Sequence, residues 1–132
     1  MLLPSAETVS TVFAGVDSGQ NHLIRPMFYD AYHRILNISN PSGASRVYSV
    51  VGYICETDTF AWDRRLPEVH ENDILCFLNA GAYGFTMSSN YNSRFRPAEV
   101  LVLNGKDHLI RKRETMDDIL HNQIRIDEKT FS

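Results

Sequence analysis

Apolar residues along this chain come in short runs, most of them rich in β-branched or aromatic side chains, and each run is cut off after a few residues by Gly, Pro, Asn or Asp. That spacing predicts strands rather than long helices. The first is expected over residues 11–16, ending at the turn cluster Asp17-Ser18-Gly19. Further strands are expected over residues 34–38, 46–55, 74–79, 99–103 and 108–111, with turns at Asn40-Pro41-Ser42-Gly43, Glu71-Asn72-Asp73, Asn79-Ala80-Gly81 and Asn104-Gly105. Asn-Gly between two apolar runs is the clearest hairpin signal, because both residues tolerate positive φ. Two segments break the strand pattern. RPMFYDAYHRI, opened by Arg25-Pro26, predicts a single helical turn or an irregular connection. Residues 114–124 place Met116, Ile119, Leu120 and Ile124 at helical spacing, behind a start signal of Thr115 and Asp118. The expected fold is therefore mainly β, one domain, closed by a short C-terminal helix.

Composition narrows the function classes. At 132 residues the chain has room for one core and not for the two domains of most cofactor enzymes. A net charge of −3 argues against general nucleic-acid binding, which needs a lysine and arginine excess. The basic run Arg111-Lys112-Arg113 is followed by Glu114, Asp117 and Asp118 and reads as a solvated face. No apolar stretch is long enough to span a membrane, and the N-terminus lacks a basic region and carries Pro4 and Glu7 where a signal peptide would be apolar, so the expected location is cytoplasmic. His22, His33, His70, His108 and His121 show no metal-ligand spacing, and no metal site is expected. There is no Gly-rich phosphate loop.

Two cysteines do not make a disulfide framework, and their surroundings assign them different jobs. Cys76, between Leu75 and Phe77, reads as packing. Cys55 has two readings. It ends an apolar strand, as a buried packing residue would, but it also sits where that strand gives way to the polar Glu56-Thr57-Asp58-Thr59. A thiol at such a mouth, with an ordinary pKa of about 8.5, is protonated at neutral pH and can act as an acid. Tyr83, between small residues in Asn79-Ala80-Gly81-Ala82-Tyr83-Gly84, is either a tyrosine in a tight turn or a phenol that a ligand can approach closely. The run from Ser88 to Arg94 builds no core and is a surface loop or an interface lining.

Three stretches carry a resemblance: GYICETDTF (52–60), NAGAYGFTMSSNYNSRFRPAEVLV (79–102) and VDSGQNHLIRPMFYDAYHRI (16–35). In order and spacing, over about residues 10–124, they resemble the carboxy-terminal domain of the diaminopimelate decarboxylases, pyridoxal-phosphate enzymes of the alanine-racemase and ornithine-decarboxylase superfamily. The resemblance implies that residues 1–132 form one β-barrel or sandwich domain, whose usual companion is an amino-terminal (β/α)8 barrel that anchors the cofactor on a lysine. It implies a proton-donating role for Cys55 and a substrate-binding one for Glu56. Arg25 and Tyr29 fall on the family's R-P-x-x-x-Y element, only partly spelled here, which grips the substrate carboxylate. Tyr83 falls on a tyrosine that contacts both substrate and cofactor.

Departures from the family pattern are specific. The more widespread cysteine motif reads C-E-S-G-D, whereas Cys55-Glu56-Thr57-Asp58-Thr59 is one residue shorter before Phe60, which leaves Asp58 without an assigned role. Ser18 and Gln20 stand where alanine and methionine are commoner. Lys106, Lys112 and Lys129 are the only lysines, and none lies in a context like that of the cofactor-anchoring lysine. In the family pyridoxal phosphate acts as the electron sink for decarboxylation. The expectation is a domain that supplies the returning proton and part of the substrate grip, inactive alone, with a barrel domain and the second subunit of a homodimer as partners and a small amino acid as substrate. The alternatives are decarboxylation of ornithine or arginine, or a non-catalytic module that docks on a separate barrel domain.

Overall fold

A computed structural model describes residues 11–126. Strand β1 (Phe13–Gly15) is followed by helix α1 (Arg25–Tyr29), then β2 (Ile35–Asn37), β3 (Ser45–Val51), β4 (Thr59–Pro67) and β5 (Leu75–Phe77). Helix α2 (Gly84–Met87), a 3-10 turn at Tyr91–Ser93, β6 (Glu99–Leu103), β7 (Lys106–Arg111) and α3 (Met116–Leu120) complete the described chain.

The strands form three small sheets. β3 lies at the centre of the first, parallel to β1 and antiparallel to β4; β2 pairs antiparallel with β5, and β6 with β7. Among the described residues no sheet closes on itself, so of the two expected architectures it is the sandwich that fits. The core sits between the first two sheets. Ala14, Tyr48, Val50, Phe60, Ala61 and Leu66 from one meet Ile35 from the other, with Leu23 beside them and Leu75 and Phe77 packed against them. The Phe60 and Phe77 rings stand 4.8 Å apart at a tilt of 57°, a favourable aromatic arrangement. Tyr48, Ser49 and Val50 are all buried in succession, so the centre of β3 is covered on both faces.

Strand β4 was not anticipated from the sequence. Its middle reads Trp62-Asp63-Arg64-Arg65, and its pairing with β3 slips between Tyr48 and Val50. The slip is a bulge: Asp63 takes φ 45, and its N–H turns to the Ser49 hydroxyl at 3.4 Å. Other boundaries also move. β3 ends at Val51 rather than at Cys55, β5 spans three residues of the expected 74–79, and β7 starts at Lys106. The expected hairpin is present, with Asn104 at φ 52 and Gly105 at φ 73. Of the two readings of the stretch opened by Arg25-Pro26, the short helix is the one found, stopped by Asp30 in the left-handed conformation. Helix α3 keeps its capping box, in which the Thr115 N–H and hydroxyl donate to the Asp118 carboxylate at 2.7 and 2.8 Å, and those bonds hold the Asp118 carboxyl below the ordinary range. It covers far less than 114–124, ending at Leu120, and Ile124 beyond it is 88% exposed.

Candidate active site

Residues 52–58 leave β3 and return into β4, and Asp58 determines the shape of that loop. The Gly52 N–H donates to the Asp58 carbonyl at 2.6 Å, closing the base. The buried Asp58 carboxylate accepts from the Ile54 N–H at 2.8 Å and, across the fold, from the Gln20 N–H at 2.6 Å. Two glycines make room for it. A β-carbon at Gly52 would fall on that carboxylate and 2.6 Å from the Ser18 carbonyl, and one at Gly19 would lie 2.8 Å from Asp58 Oδ2. The Tyr53 N–H donates to the Ser18 carbonyl at 3.1 Å, its hydroxyl donates to Asn21 Oδ1 at 3.1 Å, and Gln20 Nε2 donates to the Glu56 carbonyl at 3.2 Å. With its base tied and Ile54 buried, the loop presents Cys55 and Glu56 to solvent at its tip. Cys55 is thus not the end of a packed strand but the apex of a braced loop.

The apex is electrostatically coupled. Cys55 Sγ–H donates to Glu56 Oε2 at 3.2 Å. That bond, and then the negative charge of Glu56, push the Cys55 thiol above its ordinary value. Hydrogen bonds from Cys55 and next from Tyr91 hold the Glu56 carboxyl below its ordinary value. At neutral pH the pair is therefore a protonated thiol against an ionised carboxylate, the charge state a proton donor beside a cation-binding group requires. Glu56, Tyr91, Gln20, Ile24, Thr57 and Ser89 line a cleft of about 380 Å³.

Arg25, Tyr29 and Tyr83 form a second group. The Arg25 guanidinium stands 5.6 Å from the Tyr29 ring centroid and 5.4 Å from that of Tyr83, held between two π faces. Tyr83 is at φ 61, a left-handed setting uncommon for an aromatic residue, and it caps the start of α2. The setting turns its ring toward Arg25 and leaves it well exposed. All five residues singled out from the sequence thus fall into two groups, with Arg25 half-buried and the other four exposed, linked by Ile24, which lines the cleft and precedes Arg25. Sequence reasoning missed Asp58, which carries the loop, and Tyr91, which lines the cleft with Glu56. The only signal for Tyr91 was the polar run that holds it. A larger cavity of about 730 Å³, between β1 and the β2–β5 sheet, contains none of these residues.

Comparison with known proteins gives the family and the fold. Residues 4–81 match the family model described as pyridoxal-dependent decarboxylase, C-terminal sheet domain. A diaminopimelate decarboxylase of Methanothermobacter thermautotrophicus is 54% identical over 113 residues, covering 84% of this chain and 26% of that protein. A crystal structure from Aquifex aeolicus superposes with a TM-score of 0.84 at 49% identity, covering 91% of this chain and 30% of that one. The diaminopimelate decarboxylase of M. jannaschii, solved in co-complex with L-lysine, superposes with a TM-score of 0.81 at 39% identity, covering 86% and 26%. The chain spans about a quarter of the length of the curated relatives it matches.

Proposed function

The chain belongs to the family of pyridoxal-dependent decarboxylase C-terminal sheet domains, and on that premise we propose that it is the sheet-domain half of a diaminopimelate decarboxylase, which converts meso-diaminopimelate to L-lysine and CO2. The observation that carries this reading is the braced loop tip, where an exposed Cys55 thiol is kept protonated by the ionised Glu56 beside it.

The described residues fit the edge of a pyridoxal-phosphate site and not its anchorage. Lys106 and Lys112 are exposed on the β6–β7 hairpin and just after it, apart from both groups. The half-buried Arg25 and the exposed Tyr83 beside it suit contact with an anionic ligand. The chemistry the cofactor supplies when bound is an electron sink for the pair left as CO2 departs. This chain's part is to return a proton to the substrate α-carbon. The Cys55 S–H bond breaks as the C–H bond forms, and sulfur keeps the electron pair until it takes a proton from water. Glu56 accepts hydrogen bonds from the distal ammonium, while Arg25, steadied by Tyr29 and Tyr83, binds a carboxylate. A substrate with an ammonium and a carboxylate at its far end satisfies both, which favours diaminopimelate over ornithine or arginine. The lysine anchoring the cofactor comes from a barrel domain, and the Cys55 loop reaches a neighbouring subunit's barrel in a homodimer.

The test is reconstitution. Mixed with a separately expressed barrel domain of a close relative, the chain should release CO2 from diaminopimelate in preference to ornithine and arginine. Cys55→Ala should lower kcat by about a hundredfold or more with little change in KM, because a proton donor acts in the transition state. A stable complex that releases no CO2 from any of the three would instead support a non-catalytic docking module.

A further inference from the structure

The turn at residues 18–22 is fastened to its neighbours at several points. The His22 and Leu23 N–H groups donate to the Gly19 carbonyl at 2.9 and 3.2 Å. The fully buried Asn21 accepts from the Ser89 N–H through its carbonyl at 2.9 Å and from the Tyr53 hydroxyl through Oδ1 at 3.1 Å. The His22 ring bridges the Ser18 hydroxyl and the Phe95 carbonyl, each at 3.0 Å. Gln20 is therefore presented from a fixed platform, and it reaches the Cys55 loop twice. Its N–H donates to Asp58 Oδ1 at the base at 2.6 Å, and its Nε2 donates to the Glu56 carbonyl at the tip at 3.2 Å. A carbonyl only accepts, so this partner settles which end of the Gln20 amide faces Glu56. Among the described residues, it is the one hydrogen bond made from outside the loop to the backbone of residues 55–57. Gln20 also lines the cleft beside Glu56.

We propose that Gln20 is a positioning residue for the Cys55–Glu56 pair, its side-chain amide fixing the loop tip so that thiol and carboxylate keep one arrangement. The inference rests on the decarboxylase reading for what the pair does, and deepens it. Asp58 ties the loop at Ile54 and at its own position and bonds nothing between them. An exposed tip held only at its base samples several backbone conformations. The bond from Cys55 Sγ–H to Glu56 Oε2, 3.2 Å, joins adjacent side chains, so it lasts only while the backbone between them keeps its shape. Gln20 grips that backbone at the Glu56 carbonyl. For a proton donor beside an ammonium-binding carboxylate such placement matters, because a misplacement of about 1 Å costs on the order of a hundredfold in rate. Gln20 carries no charge, and it acts on the thiol only through where it holds Glu56. Methionine in its place keeps the length of the side chain and the backbone bond to Asp58 and removes the donor.

The experiment measures Cys55 alkylation by iodoacetamide across pH in the 132-residue chain, read by peptide mass spectrometry, with Cys76 as internal reference. Wild type and Gln20→Met are compared, each with and without Glu56→Gln. Cys55 is already exposed, so its rate reports the proton affinity of the thiol rather than access to it. Glu56 raises that affinity, and a tip released from Gln20 spends less time in the arrangement that does so. Gln20→Met should therefore move the Cys55 midpoint to lower pH by about half a unit, and the rate below the midpoint should rise about threefold. Cys76 should be unchanged, and in the Glu56→Gln background Gln20→Met should have no effect. In the reconstituted enzyme Gln20→Met should lower kcat and raise KM for diaminopimelate together, with kcat/KM down about tenfold. A smaller folded fraction would lower kcat alone. An unmoved midpoint, the same shift without Glu56, a Cys76 rate that rises in step, or a kcat loss with KM unaltered would each overturn the proposal. A wild-type complex that releases no CO2 would defeat the decarboxylase reading, and the alkylation series would still decide whether Gln20 holds the tip.

Discussion

At the scale of single residues, two cysteines of identical chemistry are separated by what surrounds them. Cys76 lies in β5 opposite Leu36, half-buried among apolar neighbours, and no carboxylate bonds its thiol among the described contacts. Cys55 stands on a loop apex, and its proton affinity is governed by one neighbour. The direction of that effect gives a prediction. Because the Glu56 hydrogen bond and charge raise the Cys55 pKa, Glu56→Gln should let it fall back, and Cys55 alkylation at neutral pH should become faster, not slower. The same substitution removes the anion proposed to meet the substrate ammonium, so in the reconstituted enzyme kcat/KM for diaminopimelate should drop by about tenfold to a hundredfold. The checks are the alkylation rate by mass spectrometry and steady-state kinetics. A Cys55 rate unaltered by Glu56→Gln would sink the coupling.

At the scale of elements, what was legible in the sequence was local. The Asn104-Gly105 turn, the Thr115–Asp118 capping box and the single turn after Pro26 are each specified by adjacent residues, and each is in place. What depended on distant partners was not legible. Strand β4 hides in Trp62-Asp63-Arg64-Arg65 because its alternation is interrupted by a bulge whose cause, the Ser49 hydroxyl, is on β3. The site divides the same way. Cys55, Glu56, Arg25, Tyr29 and Tyr83 were picked out by resemblance, but Asp58 bonds a partner 38 residues away, Gln20, and Tyr91 shares a cleft with the distant Glu56, pairings that no local pattern names. Asp58 makes the element-scale prediction. Gly52 is glycine for space, since a β-carbon would overlap the Asp58 carboxylate, so Gly52→Ala should cost about 1–3 kcal/mol of stability. It should also free the apex, with amide exchange accelerating at Ile54 and Cys55. A denaturation midpoint equal to wild type would show that the loop does not depend on this fit.

At the scale of the whole molecule, the β6–β7 hairpin does not pair with either of the other sheets. Its first strand, Glu99–Leu103, is apolar at four successive positions, the pattern of a strand covered on both faces. Yet Val100, Leu101, Val102 and Leu103 are all exposed, Val102 at 70%, and Ile110 on the partner strand at 62%. Polar and cation–π contacts join the hairpin to the preceding segment: Arg111 stacks 3.8 Å over Phe85, and Glu114, just past β7, accepts from Asn90 Nδ2 at 2.6 Å, while the Arg111–Glu99 pair ties its own two strands together. An apolar surface of this kind associates unless something covers it, and on the present reading a barrel domain does so. The chain on its own should therefore self-associate with rising concentration. Val102→Lys combined with Ile110→Lys should reduce that association while changing the unfolding free energy by no more than about 0.5 kcal/mol, since neither side chain is packed. Sedimentation velocity over a concentration series measures the first and chemical denaturation the second. Addition of a barrel domain should compete with self-association, and the double lysine variant should bind that domain more weakly. A chain that stays monomeric at every concentration, or a variant that binds the barrel domain as tightly as wild type, would show that the hairpin is not the surface a barrel domain covers.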